Sequence, residues 1–302
     1  MAFSGASPER HHVLLTDDDE QFASRAAALL DVDPISTNVL ATVLAGTRTG
    51  CPQPEGSFWV LVEDAAGRPV GAALCTAGFP PFLAAMPDGA AALIAAALHR
   101  AGHEVPGVRG DAAATSAFAT RWASLTGRTA ERTAAEAVHL LGTPVPPVGV
   151  PGDARPTTPV DSELAAAWYA AFEVEAHPGE PAPDPDTLRQ RTSLFVARSR
   201  TGRVLLWVDG GVPVSLAGWQ VPAGPAERAI GRVGPVFTPA EHRRRGYAAA
   251  VTWAATQAVL GTGAAGVMLY TDLANPTSRG VYARLGYRPV SEAANWTFHT
   301  PG

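Results

Sequence analysis

Two stretches in the last third of the chain combine residue types at spacings that could do chemistry. The first is Val236-Phe-Thr-Pro-Ala-Glu-His-Arg-Arg-Arg-Gly-Tyr-Ala248. It reads as the end of a strand, a short proline-led loop and the start of an alanine-rich helix. Such a loop suits an anion, because free backbone N–H groups and the positive end of the helix dipole converge on it. Gly246 allows close backbone approach to a bulky ligand, and Ala248 keeps the next turn small. Arg243, Arg244 and Arg245 can add charge-assisted hydrogen bonds to phosphate oxygens. The second stretch is Leu269-Tyr-Thr-Asp-Leu-Ala-Asn275-Pro-Thr-Ser278-Arg-Gly-Val-Tyr282-Ala-Arg-Leu-Gly286-Tyr287. Asn275 is a good N-cap, Pro276 suits the first helical position and Gly286 a helix C-terminus. Tyr282 follows Asn275 by nearly two helical turns and Ser278 by about one, so the three residues share a helix face.

These stretches need a scaffold, and the hydrophobic pattern supplies one. In the second half, strands are expected near residue 155 and over 204–208, 214–220, 229–237 and 267–271, with closing strands over 287–290 and 296–299. Helices are expected over 162–173, 246–260 and 275–285. Residues 193–198 alone could be a strand, but Leu188 and Phe195 lie two helical turns apart, so 186–198 reads as a helix. The order is β-α-α-β-β-β-α-β-α-β-β, a mixed α/β fold. The first half opens alike, with strands over 12–15, 58–62 and 70–75 and helices over 20–30, 35–44, 90–100 and 115–125. Gly142-Thr-Pro-Val-Pro-Pro-Val-Gly-Val-Pro-Gly152 separates the halves as a linker. The expected domains are 1–143, the linker 144–152, and 153–302.

The pattern Arg243-x-x-Gly246-x-Ala248 between strand and helix resembles the acyl-CoA pyrophosphate loop of the GNAT superfamily of N-acetyltransferases. The stretch from Asn275 through Tyr282 to Gly286-Tyr287 is similar to that family's second signature, and it lies in the right place downstream. The resemblance implies a GNAT fold for the second half. It implies that Val236, Phe237 and Thr238 belong to a strand splayed from its neighbour, with the pantetheine arm pairing in the gap as a pseudo-strand. It places Arg243, Arg244, Arg245, Gly246, Tyr247, Ala248 and Ala249 at the pyrophosphate, and Asn275 and Ser278 on the face meeting CoA. It puts the Tyr282 hydroxyl near the thioester sulfur, where a phenol can protonate the departing thiolate. The first half lacks the Arg/Gln-x-x-Gly-x-Gly/Ala loop, and Glu104-Val-Pro-Gly-Val-Arg-Gly110 does not fit it. It reads as a degenerate GNAT-like domain, making the whole a tandem GNAT protein.

The implied activity is acetyl-CoA-dependent acetylation of a small-molecule amine. The alternative is a non-catalytic acyl-CoA-binding or scaffolding protein, favoured by the absence of any acid from Ala229-Ile-Gly-Arg-Val-Gly-Pro-Val-Phe237, where many family members place a catalytic carboxylate. Glu173, Glu175 and His177 would flank the acceptor pocket, and Glu227 and Asp272 are further carboxylates. Glu173 and Glu175 suit a cationic amine. Trp207 and Trp219 could line that pocket, although core or cross-strand packing is the favoured reading.

Composition excludes other classes. With 23 basic and 28 acidic residues the net charge is −5, so general nucleic-acid binding is disfavoured. Every basic residue apart from histidine is arginine. Cys51 and Cys75 form neither a disulfide framework nor a metal site, and no metal is expected. Residues 1–12 hold no signal-like apolar core, and the longest apolar run, 90–98, is too short to cross a bilayer. A cytoplasmic protein, monomeric or homodimeric and without a membrane partner, is expected. Gly261-Thr-Gly-Ala-Ala-Gly266 matches a dinucleotide fingerprint in letters only, because it follows a helix and enters a strand.

Overall fold

The computed structural model describes residues 11–51, 53–176, 183–199 and 201–300. The first half contains β1 (His12–Thr16), α1 (Asp19–Val32), α2 (Asn38–Arg48), β2 (Phe58–Glu63), β3 (Pro69–Cys75), β4 (Phe82–Leu83), α3 (Asp88–Arg100), β5 (Gly107–Asp111), α4 (Ala112–Thr126) and β6 (Thr129–Leu141). The second contains β7 (Asp153–Pro156), α5 (Ser162–Glu175), α6 (Pro185–Ser199), β8 (Val204–Asp209), β9 (Val212–Ala223), β10 (Ile230–Phe237), α7 (Tyr247–Leu260), β11 (Gly266–Asp272), α8 (Pro276–Arg284) and β12 (Tyr287–His299). Short 3₁₀ turns aside, both halves run β-α-α-β-β-β-α-β-α-β.

Two compact units form, and they are not simply the two halves. One comprises Met1–Leu40, Gln53–Arg132 and Ala294–Gly302, the other Ala41–Pro52 and Thr133–Ala293. The sixth strand of each half therefore enters the other unit. In the first unit the strand order is β1-β2-β3-β4-β5, followed by the end of β12, where Phe298 N donates to Pro106 O. In the second it is β7-β8-β9-β10-β11-β6, with Leu269 of β11 opposite His139 of β6.

Local chemistry explains the helix starts. Asp18, Asp111 and Asp184 side chains accept backbone N–H bonds at the first turns of α1, α4 and α6. Asp184 ahead of Pro185 thus opens α6, and 193–198 is helical rather than extended. The second-half helices and most first-half ones lie where the periodicity predicts, while α2 begins three residues later than expected. The two closing strands expected over 287–290 and 296–299 are one, β12.

The first unit's core stacks Ala91, Ile94, Ala95 and Leu98 of α3 against Phe118 and Trp122 of α4, with Val60, Val62 and Phe298 from strands. In the second unit, pleating divides β8 and β9 between two faces. Leu205 and Ala217 join Val251, Ala255 and Val259 of α7, with Leu269 and Tyr287. Leu206 and Leu216 join Ala165 and Tyr169 of α5 and Phe195 of α6. Each fully buried Leu, Val or Phe contributes about 1.5–3 kcal/mol. Both faces are therefore filled, and the sheet is held rigid between them. Among the described residues no helix is long and apolar enough to cross a membrane.

Candidate functional site

The arginine loop is built to present backbone donors. Ser215 Oγ donates to Phe237 O (3.0 Å) and contacts Thr238 Oγ1 at 2.8 Å, which fixes the end of β10. A 3₁₀ turn over Ala240–His242 follows. Arg244 then takes φ 63°, the one positive φ among described non-glycine residues, and Gly246 takes φ 86°. A Cβ at Gly246 would stand 2.8 Å from Val150 Cγ2, so the close turn requires glycine for space as well as for φ. Gly246 caps α7 without a side-chain hydrogen bond. The N–H groups of Tyr247, Ala248 and Ala249 thus have no intrahelical acceptor, and they add to the dipole at that end.

The three arginines are not equivalent. Arg243 turns back on the protein: its Nε donates to Thr238 O (2.9 Å) and its Nη2 pairs with the Glu175 carboxylate. In this arrangement it braces the loop. Arg244 and Arg245 are exposed, and Arg245 also reaches the Tyr247 hydroxyl. Tyr247 also differs from the expectation. Its side chain is 3% exposed and its hydroxyl donates to the Asp209 carboxylate, so only its backbone faces the loop. That hydrogen bond, chiefly, raises its pKa.

Beside the loop two strands part. Parallel β10 and β11 pair only at Ile230–Gly266, Gly231–Val267 and Arg232–Met268. Beyond them β10 stays with β9, bulging between Val233 and Val236, while β11 stays with β6. Gly234, at φ 147°, lies in the bulge, and its carbonyl would be 2.9 Å from a Cβ at Gly218. The β10–β11 ladder thus does not continue between Val233–Phe237 and Leu269–Asp272, and a gap opens there. That is the splay expected around Val236, Phe237 and Thr238.

Helix α8 closes the arrangement. Asn275 Oδ1 accepts from Ser278 N (3.1 Å), so Asn275 is the N-cap its type predicts. Tyr282, half-buried, packs edge-on to Tyr287 with ring centroids 6.2 Å apart. Tyr287 is itself pinned by a 2.7 Å hydrogen bond between its hydroxyl and Thr256 Oγ1. Among the described residues the Tyr282 hydroxyl has no protein partner, and burial raises its pKa to about 12. It remains a neutral O–H donor at physiological pH.

The candidates for acceptor recognition fare differently. Glu173, 8% exposed, pairs with Arg191 of α6 at 2.7 Å, and Glu175 pairs with Arg243. Both carboxylates pair with arginine and tie elements together. Trp219 packs with the α7-side core, and Trp207 donates to Pro151 O at 2.8 Å. Trp219 Nε1 is buried without a hydrogen-bond partner among the described residues. Glu227 is exposed in the turn before β10, and Asp272 accepts from Ala274 N at the end of β11. His177 lies outside the described residues.

Sequence reasoning missed β6, the first-half strand that lines β11. Thr129-Ala-Glu-Arg-Thr-Ala-Ala-Glu-Ala-Val-His-Leu-Leu141 is rich in helix formers and carries no period-2 signal. It brings Glu136 opposite Asp272, and buried His139 opposite Leu269.

Residues 212–297 match the FR47-like protein family. No curated protein matches the chain. Solved structures match it along nearly its whole length. A GCN5-related N-acetyltransferase from Sphaerobacter thermophilus is 18% identical, with a TM-score of 0.58 and 96% of each chain covered. A GNAT-family acetyltransferase from Colwellia psychrerythraea is 11% identical, with a TM-score of 0.54 over 96% of this chain and all of that one. A tandem GNAT protein from the clavulanic acid biosynthesis pathway is 16% identical, with a TM-score of 0.55 over 97% of this chain and all of that one. The chain therefore has the GNAT fold.

Proposed function

We propose that the second unit is an acetyl-CoA-dependent N-acetyltransferase that acts on a small-molecule amine, and that the first unit is a degenerate copy without a CoA site. The observation that carries this reading is the junction of three features in one unit: a parted strand pair, an uncapped helix start behind two exposed arginines, and an unpartnered tyrosine hydroxyl. The donor set fits the cofactor. Backbone N–H groups of Tyr247, Ala248 and Ala249, with Arg244 and Arg245, would hold a pyrophosphate. The edges of Val236–Thr238 would pair with an amide-bearing arm. Asn275 and Ser278 sit at the start of the helix facing it.

Acetyl-CoA, when bound, supplies the activated thioester. The protein would position the reacting groups and move a proton. Backbone N–H of the bulged β10 can stabilise oxyanion charge. Tyr282 can donate its proton to the leaving sulfur, and a phenol held neutral by burial is suited to that step. The proposed setting is a cytoplasmic monomer or homodimer.

A second reading is a non-catalytic acyl-CoA binder. It is favoured by the lack of a carboxylate on β10 and by the pairing of Glu173 and Glu175 with arginines. Titration calorimetry with CoA, followed by thiol release over a panel of amines, separates the two. Binding plus release supports the enzyme, and Tyr282→Phe should then slow release with unchanged CoA affinity. Binding without release on any amine supports the second reading, and no binding removes both.

A further inference from the structure

The first unit holds a cation that the fold leaves without a counter-charge. Pleat parity sets where it points. Leu83 of β4 and Val108 of β5 face the core with α3 and α4, so Phe82 and Arg109 face the other side of the sheet. The two are paired across β4 and β5, and Leu74 of β3 stands opposite Phe82. Arg109 is therefore half-buried beside an apolar strand surface, on which both Leu74 and Phe82 are buried. Its main chain is fixed, with Arg109 N donating to Pro81 O at 2.9 Å. Phe79, in the connection between β3 and β4, covers the guanidinium, whose Cζ lies 5.1 Å from the ring centroid.

What this guanidinium lacks is an acceptor. Its Nε is fully buried without a hydrogen-bond partner, and among the described residues no carboxylate, hydroxyl or carbonyl pairs with its other nitrogens. Other arginines of the unit are paired: Arg25 with Glu63, Arg68 with Asp64 and Arg128 with Glu104. Glu63, the buried carboxylate on the same face, lies on β2, with β3 and β4 between it and β5. Asp111, two residues after Arg109, accepts through Oδ1 from Ala113 N and Ala114 N at the start of α4. A charge half-removed from water, with one N–H orphaned, lowers stability unless something completes it. The planar guanidinium fork matches a carboxylate. A single cation balances a single negative charge. The helix starts nearby offer little to a phosphate, because α4 is capped by Asp111 and α3 carries Asp88 in its first turn.

We propose that Arg109 is the anion end of a second small-molecule site, within the first unit, that binds a monocarboxylate with an apolar, aromatic body lying against Phe79 and Phe82. The guanidinium supplies the charge-assisted hydrogen bonds, and the two rings supply apolar surface. The site uses none of the residues named for acetyl transfer. It stands whether the second unit is an enzyme or a binder, and it gives the first unit a ligand of its own.

The test titrates the full, ¹⁵N-labelled chain with phenylacetate, acetate and the neutral phenylacetamide. The Arg109 Nε–Hε resonance is the one that Arg109→Lys removes. In the wild type, millimolar phenylacetate should shift it to saturation, acetate should act more weakly, and the amide should leave it in place. Arg109→Gln should weaken phenylacetate binding about tenfold or more, because the charge-assisted bonds are lost. Arg109→Lys should keep part of the affinity, a point charge replacing the fork. Replacing Arg244 and Arg245 together by alanine should leave phenylacetate binding unchanged, which separates this site from the arginine loop. Melting temperature separates a ligand site from a brace. Arg109→Met removes an unpaired, half-buried charge and should hold or raise the ligand-free value. A lower value would make Arg109 a support for Phe79 and overturn the proposal. Equal binding of acid and amide, or unchanged phenylacetate affinity in Arg109→Gln, overturns it as well. So does a wild type without a saturable shift, and each of these outcomes leaves the transferase reading of the second unit as it was.

Discussion

The two halves run through the same ten elements in the same order, yet they differ at one strand pair. In the second unit β10 is eight residues long and pairs with β11 at its start only, leaving the rest parted. In the first unit the corresponding β4 has two residues, and it meets β5 at Phe82–Arg109 and Leu83–Gly110, the last positions of β4. A Cβ at Gly110 would lie 2.1 Å from Leu83 O, so the two backbones are as close as glycine permits. At these positions the described strands are joined, not parted. The helices that follow differ in sign as well. Helix α7 begins after Arg243-Arg-Arg-Gly246, whereas α3 begins after Pro87 with Asp88 in its first turn. An acid there satisfies the helix dipole internally and repels a phosphate. On the proposed reading, the two units differ in how far one pair of strands stays paired and in which charge stands at one helix start.

The traded strands set the largest expected effect. Residues 150–302 expressed alone lack β6, and β11 would expose its whole outer edge, together with buried Leu269 and Thr271. That fragment should be insoluble or unfolded by circular dichroism, and co-expression with residues 1–149 should rescue it. A fragment that folds alone and binds CoA at wild-type affinity would show that β12 can take the place of β6, and the asymmetry between units would then need no help from the first half.

The next effect tests the charge at the helix start. Replacing Arg244 and Arg245 together by alanine should weaken CoA binding by about 2–4 kcal/mol, because charge-assisted bonds are worth about 1.5–3 kcal/mol each and do not add fully. The loss should shrink at high salt, where screening already weakens the wild type. Pantetheine, which lacks the pyrophosphate, should barely notice the change. Calorimetry showing equal proportional losses for pantetheine and CoA would make these arginines structural. Arg243→Ala should behave otherwise, loosening the loop through Thr238 O and Glu175.

How much of this was legible in the sequence follows the range of the forces involved. The arginine loop and the Asn275 cap are local: their donors, φ requirements and helix starts are written within a few residues, and they were read in place. The paired strands 204–208 and 214–220 were also legible, because the turn between them is short. What was missed depends on distant partners. Strand β6 has helical composition, and it is extended because β11 offers backbone partners more than a hundred residues away in sequence. Nothing near Glu175 in sequence reveals Arg243 as its partner. Glu173 and Arg191 are separated by the α5–α6 connection in the same way. Strands β4 and β5 are too short to show a period.

A smaller effect concerns acid stability and the second unit's borrowed strand. His139 is 4% exposed, and burial, helped by the charge of Arg279, lowers its pKa from 6.5, while the hydrogen bond with Ala137 O opposes the shift. A histidine whose folded pKa is depressed binds its proton first in the unfolded chain. Stability contributed by keeping it neutral is present above about 6.5 and is lost as pH falls through that value toward the folded pKa. The urea midpoint should therefore drop on acidification below that point, before the carboxylates titrate. His139→Leu should flatten that part of the curve. A variant with the wild-type slope would move the cause elsewhere.

The smallest effect asks whether charge or backbone closure disables the first unit. Asp88→Arg reverses the sign at the start of α3 and so imitates the arginine loop in charge alone. It replaces a favourable dipole interaction by an unfavourable one, each about 0.3–1 kcal/mol at a surface site, and should lower the melting temperature slightly. It should not create a second CoA site. The β4–β5 pair remains joined through Leu83–Gly110, and the cation has no parted strands beside it to receive the pantetheine arm. Calorimetric stoichiometry should stay at the wild-type value, with unchanged affinity in the second unit. A rise in stoichiometry would mean that a helix start and a cation suffice, and that strand parting follows the ligand instead of preceding it. An unchanged stoichiometry would rank backbone separation above charge as the feature distinguishing the two units.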